Sequence, residues 1–285
     1  MTAKTPSFSI GPRGWVLLSL LASAVWASVT LDLDVRRLVP TEGGWSVAAE
    51  FLARAVSPAL TYEAAVVPAG TQPLLVKATE AARMTLAIAA AAMSLALVAG
   101  GTLGLCASTF WWRGTVRGVR RRFPFVVAYA GLRILIAVMR SVHELFWAVL
   151  LLAVFGLGNL TAVVAIAIPY TGVLAKVFSE LIDEAPRDAG DALDGLGASR
   201  FQAFIFGVLP RALPDMGAYA FYRFECALRS SAILGFFGFP TLGYYVTASF
   251  ENLHYGEVWS YLYVLFVLIA LVDWWSGQLR RRLVA

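Results

Sequence analysis

The sequence predicts an all-α fold, a polytopic membrane bundle of about six transmembrane helices. Three observations carry that prediction. Hydrophobic residues make up 59% of the 285 positions and charged residues only 14%, against roughly 25% charged in ordinary globular domains. The apolar residues gather in runs long enough to cross a bilayer. Arginines collect beside alternate runs, as the positive-inside rule requires of a multi-span chain. Such a chain is neither disordered nor a typical cytosolic enzyme. Its two cysteines, Cys106 and Cys226, both lie in apolar segments and build no disulfide framework or metal motif. The net charge of +5 fits orientation in a membrane better than a nucleic-acid role.

The first apolar run, 15–31, follows Lys4 and Arg13 and reads as an uncleaved signal anchor. Ala22-Ser23-Ala24 has the small-residue look of a cleavage site, which leaves a removed signal peptide as the alternative. Residues 32–75 are more polar, and 43–60 has the spacing of a helix lying along a membrane surface. The second span, 85–109, is rich in the small residues that let membrane helices approach closely. The cluster Arg113, Arg117, Arg120, Arg121 and Arg122 follows and marks a cytoplasmic connection. Apolar runs 123–139 and 145–155 are interrupted by Arg140, His143 and Glu144, and periodicity leaves one long helix or two equally open. Residues 156–159 form a tight turn, and 161–178 is the fourth span, with Pro169 and Gly172 inside it. Residues 179–210 leave the membrane. The fifth span is 212–237, a loop covers 239–257, and the sixth span is 258–275. Trp111, Trp112, Trp274 and Trp275 read as interfacial anchors. Odd spans run outward and even spans inward, with both termini cytoplasmic. The organisation is an anchor and external segment over 1–75 and a transmembrane domain over 76–285, with a cytoplasmic loop at 183–206.

The most informative stretch is 180–214. Asp191-Ala192 is followed by Gly197-Ala198-Ser199-Arg200 and then by Val208-Leu209-Pro210. Residues 191–196 suit a short helix, Gly197 ends it or permits a turn, and 198–206 restarts. The product is a helix–turn–helix knob offered to a soluble partner. Pro210 and Pro214 stand at the start of the fifth span, where a missing backbone donor costs little.

An acidic residue and alanine, a glycine six positions after the acid, and Leu-Pro twelve and thirteen positions after that glycine resemble the signature loop of ABC importer permeases. Asp191 stands where that loop usually carries glutamate. Further motifs resemble one subfamily, the phosphonate importer permeases. They are Tyr222-Arg223-Phe224-Glu225 with Arg229 and Ser230, Leu234-Gly235 and Gly238, Arg140 and Glu144, Gly156-Leu157-Gly158, the run 172–180, and Asp273, Ser276 and Arg280. The similarity covers roughly residues 115–283. The chain departs from the family at His143, where proline is usual, at Ala227, where asparagine is usual, and in the bulkier run 238–243.

The resemblance implies a methionine-importer-like permease core in a bacterial inner membrane. It implies pairing with a second permease copy or paralogue, two cytoplasmic ATPase subunits that bind the ATP, and an external substrate-binding protein. The cargo implied is a phosphonate, or a related phosphorus oxyanion such as phosphite or hypophosphite. Carried over onto this chain, the ATPase-coupling residues are Asp191, Ala192, Gly197, Ala198, Leu209 and Pro210. The chain has no cofactor of its own and no catalytic residue. It contains no G-x-x-x-x-G-K-[ST] loop, no G-x-S-x-G elbow and no H-E-x-x-H helix. His143 and His254 lack companions at metal-ligand spacing.

Ionisable residues inside apolar spans face a bundle interior or a water-filled path. Arg140, Glu144, Tyr222, Arg223, Glu225 and Arg229 are therefore candidates for a translocation path or a buried ion-pair network. Glu225 and Arg229, four residues apart, share a helix face and can pair, while Arg223 points away from Glu225. Arg133, Arg140 and Glu144 form a candidate second network near the cytoplasmic face. The alternative function is an ion-gradient-driven secondary anion transporter, which calls for inverted repeats and broken helices at the membrane midplane.

Overall fold

A computed structural model describes residues 11–34, 39, 42–116 and 123–284, without the side chains of 42, 113–116, 123, 124, 283 and 284. The described residues form twelve α-helices with short π and 3₁₀ segments. Contacts divide the chain into two units, Met1–Ala53 and Arg54–Ala285. Arg117, Arg120, Arg121 and Arg122 of the basic cluster lie outside the described residues.

The smaller unit holds α1, Pro12–Thr30, and most of α2, Glu42–Val56. Helix α1 begins with Pro12, whose fixed φ suits a first turn. None of its residues is buried within the unit, as expected of an apolar helix whose solvent is lipid.

The larger unit is built on α3, Leu74–Ala107, and α7, Asn159–Glu184, which share its most extensive helix–helix contact. Helix α3 starts three turns before the expected second span, because Lys77, Glu80 and Arg83 in its early turns mask its apolar pattern. Its small residues let the backbones meet. A Cβ on Gly100 would sit 2.8 Å from Leu174 Cβ, and one on Gly104 would sit 3.0 Å from the Ala175 carbonyl oxygen. The spacing is that of the G-x-x-x-G packing motif. On another face of α7, a Cβ on Gly172 would lie 2.9 Å from Arg140 N. Helix α7 continues through Pro169, whose ring is buried.

Helix α4 is Thr109–Val116, α5 Phe123–Ser141 and α6 Glu144–Phe155. The 123–156 region is thus two helices, bent by 91° at the break. The break is local chemistry: His143 takes an extended conformation and its ring nitrogen caps Leu145 N–H. After α7 come α8, Asp188–Gly195, α9, Arg200–Ala203, a π turn, Phe204–Val208, and α10, Leu209–Ile233. A 3₁₀ turn, Leu234–Phe237, leads to α11, Leu242–Glu251, and α12, Tyr255–Val284. The expected 239–257 loop is therefore corrected, since it contains a ten-residue helix. The Gly-Pro run ahead of it resembled a loop, but Thr241 is an extended N-cap. The Thr85 hydroxyl accepts from Leu242 N–H at 3.0 Å, tying this helix start to α3.

By length and composition four helices can cross a membrane, or six if each bent pair counts as one span. The 57–73 segment, assigned by sequence to the N-terminal part, belongs to the larger unit. Glu63 N–H donates to the Glu257 carboxylate at 2.8 Å, and Gly256 N–H donates to the Glu63 carboxylate at 3.0 Å.

Close packing at a glycine leaves no room for a branched side chain. Gly100→Val lowers stability by about 1–3 kcal/mol, read as a lower thermal-unfolding midpoint of the purified protein in detergent; Gly101→Val, whose added Cβ meets nothing within 4 Å, serves as the control.

Candidate functional site

The 183–210 stretch is a stiff projection. Helix α8 ends in a Schellman turn: Ala198 N–H reaches back to the Leu193 carbonyl at 3.0 Å and Gly197 takes a φ of +87°. Two residues later Ser199 opens α9 with a capping box, exchanging bonds with Gln202. Both ends of the connection are thereby fixed by backbone geometry. Leu196, at the tip, is 85% exposed. Asp191, Ala192, Gly197 and Ala198 all lie on this knob, with Asp191 and Ala192 exposed.

Leu209 and Pro210 do not share the knob's surface; they begin α10 behind it. A proline ring clashes with the carbonyl four residues back. The chain widens before Pro210, with Leu209 N–H bonding the Phe204 carbonyl five residues earlier. Helix α8 packs against this π turn backbone to backbone, since a Cβ on Gly207 would fall 2.6 Å from Gly190 Cα. Sequence reasoning missed Gly190 and Gly207, because two glycines seventeen residues apart carry no local signal.

The knob is anchored to the membrane helices at two places. Asp183, near the end of α7, accepts from the Ser108 hydroxyl at 2.7 Å and from Thr109 N–H at 2.9 Å, joining it to the α3–α4 junction. Phe204 packs against Trp111 and Phe110 of α4, with ring centroids 4.8 and 5.2 Å apart. The Arg200 guanidinium carbon lies 6.0 Å from the Phe110 ring centroid. A cleft of about 200 Å³ opens beside this anchor, lined by Phe110, Arg187, Gly190, Asp191, Asp194 and Arg200 among others. Two arginines and two aspartates line it, so it presents both charges.

The candidate path residues separate into three groups. Glu225 is buried, but its cation is Arg280 of α12, with Nη2 2.9 Å from Glu225 Oε1 outside hydrogen-bond alignment. The expected Glu225–Arg229 pair is thus corrected. Arg229 is exposed, and its nearest polar contact is Cys226 Sγ at 3.8 Å. The i,i+4 spacing permitted the pair, but the approach of α12 supplied a competing cation. Tyr222 is also exposed, its ring centroid 6.1 Å from that of Tyr219 and the planes tilted by 42°.

The expected Arg133–Arg140–Glu144 network does not form either. Arg133 bonds the Tyr129 and Ser179 hydroxyls, at 2.9 and 3.2 Å. Arg140 is exposed and has no ion pair among the described residues. The bend after α5 turns Glu144 elsewhere. Its carboxylate accepts from the Ser230 hydroxyl at 2.6 Å, and Ser230 is 3.1 Å from the Tyr170 hydroxyl. The Arg223 guanidinium lies over the Tyr170 ring, 4.5 Å from its centroid. The structure therefore joins α6, α7 and α10 through Glu144, Ser230, Tyr170 and Arg223. Tyr170 carried no sequence signal beyond its place in an apolar run. Among the described residues no group of His, Cys, Asp and Glu could hold a metal.

Removing Glu225 leaves Arg280 with only the exposed Asp273 carboxylate, 3.8 Å away, whereas removing Arg229 breaks no ion pair among the described residues. Glu225→Ala is expected to lower stability by about 1–2 kcal/mol, less than a fully buried pair would cost because Arg280 is partly exposed and keeps Asp273, and Arg229→Ala by less than about 1 kcal/mol, compared by thermal unfolding in the same detergent.

Comparisons with known proteins bear on this arrangement. The family described as "Binding-protein-dependent transport system inner membrane component" matches residues 114–285. The chain is 33% identical over 165 residues to the phosphite transport system permease protein PtxC of Stutzerimonas stutzeri, covering 57% of this chain and 59% of that one. It is 29% identical over 218 residues to the phosphate-import permease protein PhnE of Mycolicibacterium smegmatis, covering 76% of this chain and 39% of that one. These matches span about three fifths and two fifths of the relatives' own lengths. A solved inward-facing structure of the MetNI methionine ABC transporter contains a chain that matches with a TM-score of 0.62 at 19% identity, over 75% of this chain and 99% of that one. That likeness concerns the fold, an all-helical permease core. The family match covers more than half of the chain, so this protein belongs to the family of binding-protein-dependent transport system inner membrane components.

Proposed function

We propose that the chain is the permease subunit of an ATP-driven importer for phosphonate or a related small phosphorus oxyanion such as phosphite. The observation that carries the coupling role is the knob at 188–199, exposed at its tip and fixed at both ends. A part that receives motion must be stiff and must be tied to the parts it moves. The knob is tied to α7 by chain continuity, to α3 and α4 through Asp183 and Phe204, and to α10 through the π turn. A cytoplasmic ATPase that grips Asp191, Ala192, Gly197 and Ala198 would thereby drive rigid-body movement of the membrane helices. Leu209 and Pro210 act one step behind, as the joint between knob and span.

The cargo class is supported by the phosphite and phosphate permeases among the relatives and by the cations carried in apolar helices. Both termini and the knob lie on the cytoplasmic side in this reading, a second permease copy or paralogue completes the path, and an external binding protein delivers cargo. Tight selection falls to that binding protein, because a path that held the anion firmly would not release it.

Purification from native membranes in mild detergent, followed by mass spectrometry, tests the reading. A stoichiometric ATPase that is lost in Gly197→Leu is the expected result. The added Cβ meets no neighbour at that position, so the substitution acts through its positive φ, a strain of about 1–2 kcal/mol. Absence of any ATPase, together with uptake that collapses with the ion gradient, would point to a gradient-driven carrier instead.

A further inference from the structure

Arg223 is a cation of the larger unit whose buried donor has no partner among the described residues. It lies fifteen residues into α10, in the helix that packs against α3, α7 and α12. A cation in that setting is normally neutralised. The other charged residues near it are accounted for. Glu225 is held by Arg280. Glu144 is engaged by Ser230, which is in turn close to Tyr170. Lys176 pairs with Glu180. Among the described residues Arg223 has no ion pair and no hydrogen bond, and its Nε is buried without a partner.

Its one recorded contact is the ring of Tyr170, which consumes none of its five N–H donors. The donors of a guanidinium lie in its plane in a fork that matches two oxygens of a tetrahedral anion. The neighbourhood suits such a visitor. Tyr219, Arg223, Cys226 and Ser230 recur at i, i+4, i+7 and i+11, one stripe of α10, and the Arg223 and Ser230 side chains both meet Tyr170 of α7. Hydroxyls of Ser230 and Tyr170 lie along the same seam. The Glu144 carboxylate stands at its far end, where it would repel an anion and limit its dwell time.

We propose that Arg223, supported by the face of Tyr170, is a transient binding site for the oxyanion cargo within the membrane, with Glu144 disfavouring prolonged occupancy. This rests on the transport reading above and names the contact point within it. Arg229, the other candidate on the same helix, borders this seam at Cys226 Sγ, 3.8 Å away, but is exposed and does not share the Tyr170 contact.

The test uses the whole transporter in proteoliposomes, with ATP on the ATPase side, the binding protein outside, and labelled phosphite and methylphosphonate as probes. Arg223→Met keeps length and loses charge, whereas Arg223→Lys keeps charge and loses the fork. The expected result is normal assembly of both variants, maximal uptake reduced about tenfold or more in R223M, and substantial recovery in R223K. A merely structural arginine would give equal losses in both variants, or R223M that fails to assemble while R223K also transports poorly. Either pattern, or wild-type uptake by R223M, overturns the site. If the wild-type complex moves neither probe, the oxyanion reading itself fails, and the cargo assigned to Arg223 fails with it.

Discussion

The close approach of α7 to its neighbours is the constraint on which the larger unit depends. In lipid, apolar side chains gain little by leaving their solvent, so helices associate through packing and a few satisfied polar groups. Helix α7 uses both. Gly100 and Gly104 of α3 admit its backbone on one side, and its own Gly172 admits α5 on another. Along its length it also carries Tyr170, Ser179 and Asp183, which reach α10, α5 and the α3–α4 junction. One helix therefore sets the distances at which the charged seam and the knob are assembled.

Polar groups in this setting are resolved by partners distant in sequence. Glu225 meets Arg280 across two helices. Glu63 and Glu257 each accept a backbone N–H from the other's segment, with Glu257 further bonded by Ser249 at 3.0 Å, which closes the 57–73 segment onto the α11–α12 corner. Glu63 and Glu257 are thus given donors, the condition for burying a carboxylate at tolerable cost, whereas Glu225 is met by charge alone. Arg223 also departs from that pattern, as do Trp147 Nε1 and Ser276 Oγ, but of these it alone carries a charge and has no ion pair among the described residues, which is why its role is sought in a visiting ligand.

The knob and the seam are built differently. The Schellman turn, the capping box and the Gly190–Gly207 contact leave the knob little room to deform, so a push on it reaches the helices behind. The seam is joined by the hydroxyls of Ser230 and Tyr170, by the Glu144 carboxylate and by one cation–π contact.

The sequence by itself determined the membrane class, the helix–turn–helix at 183–206 and the family. Each of these is written locally, in apolar run length, in Gly197 and Ser199 at helix ends, and in motifs at fixed spacing. It also located the residues worth attention. It did not determine their partners. Glu225 with Arg229 and Arg133 with Glu144 were compatible with helical spacing, yet the bend at His143 and the approach of α12 redirected both carboxylates. Helix α11 was hidden by its Gly-Pro lead, and the early turns of α3 by their charges. Tyr170, Asp183, Gly190 and Gly207 had no local mark at all. Spacing along one helix fixes which residues share a face; what that face meets is decided only when the other helices arrive.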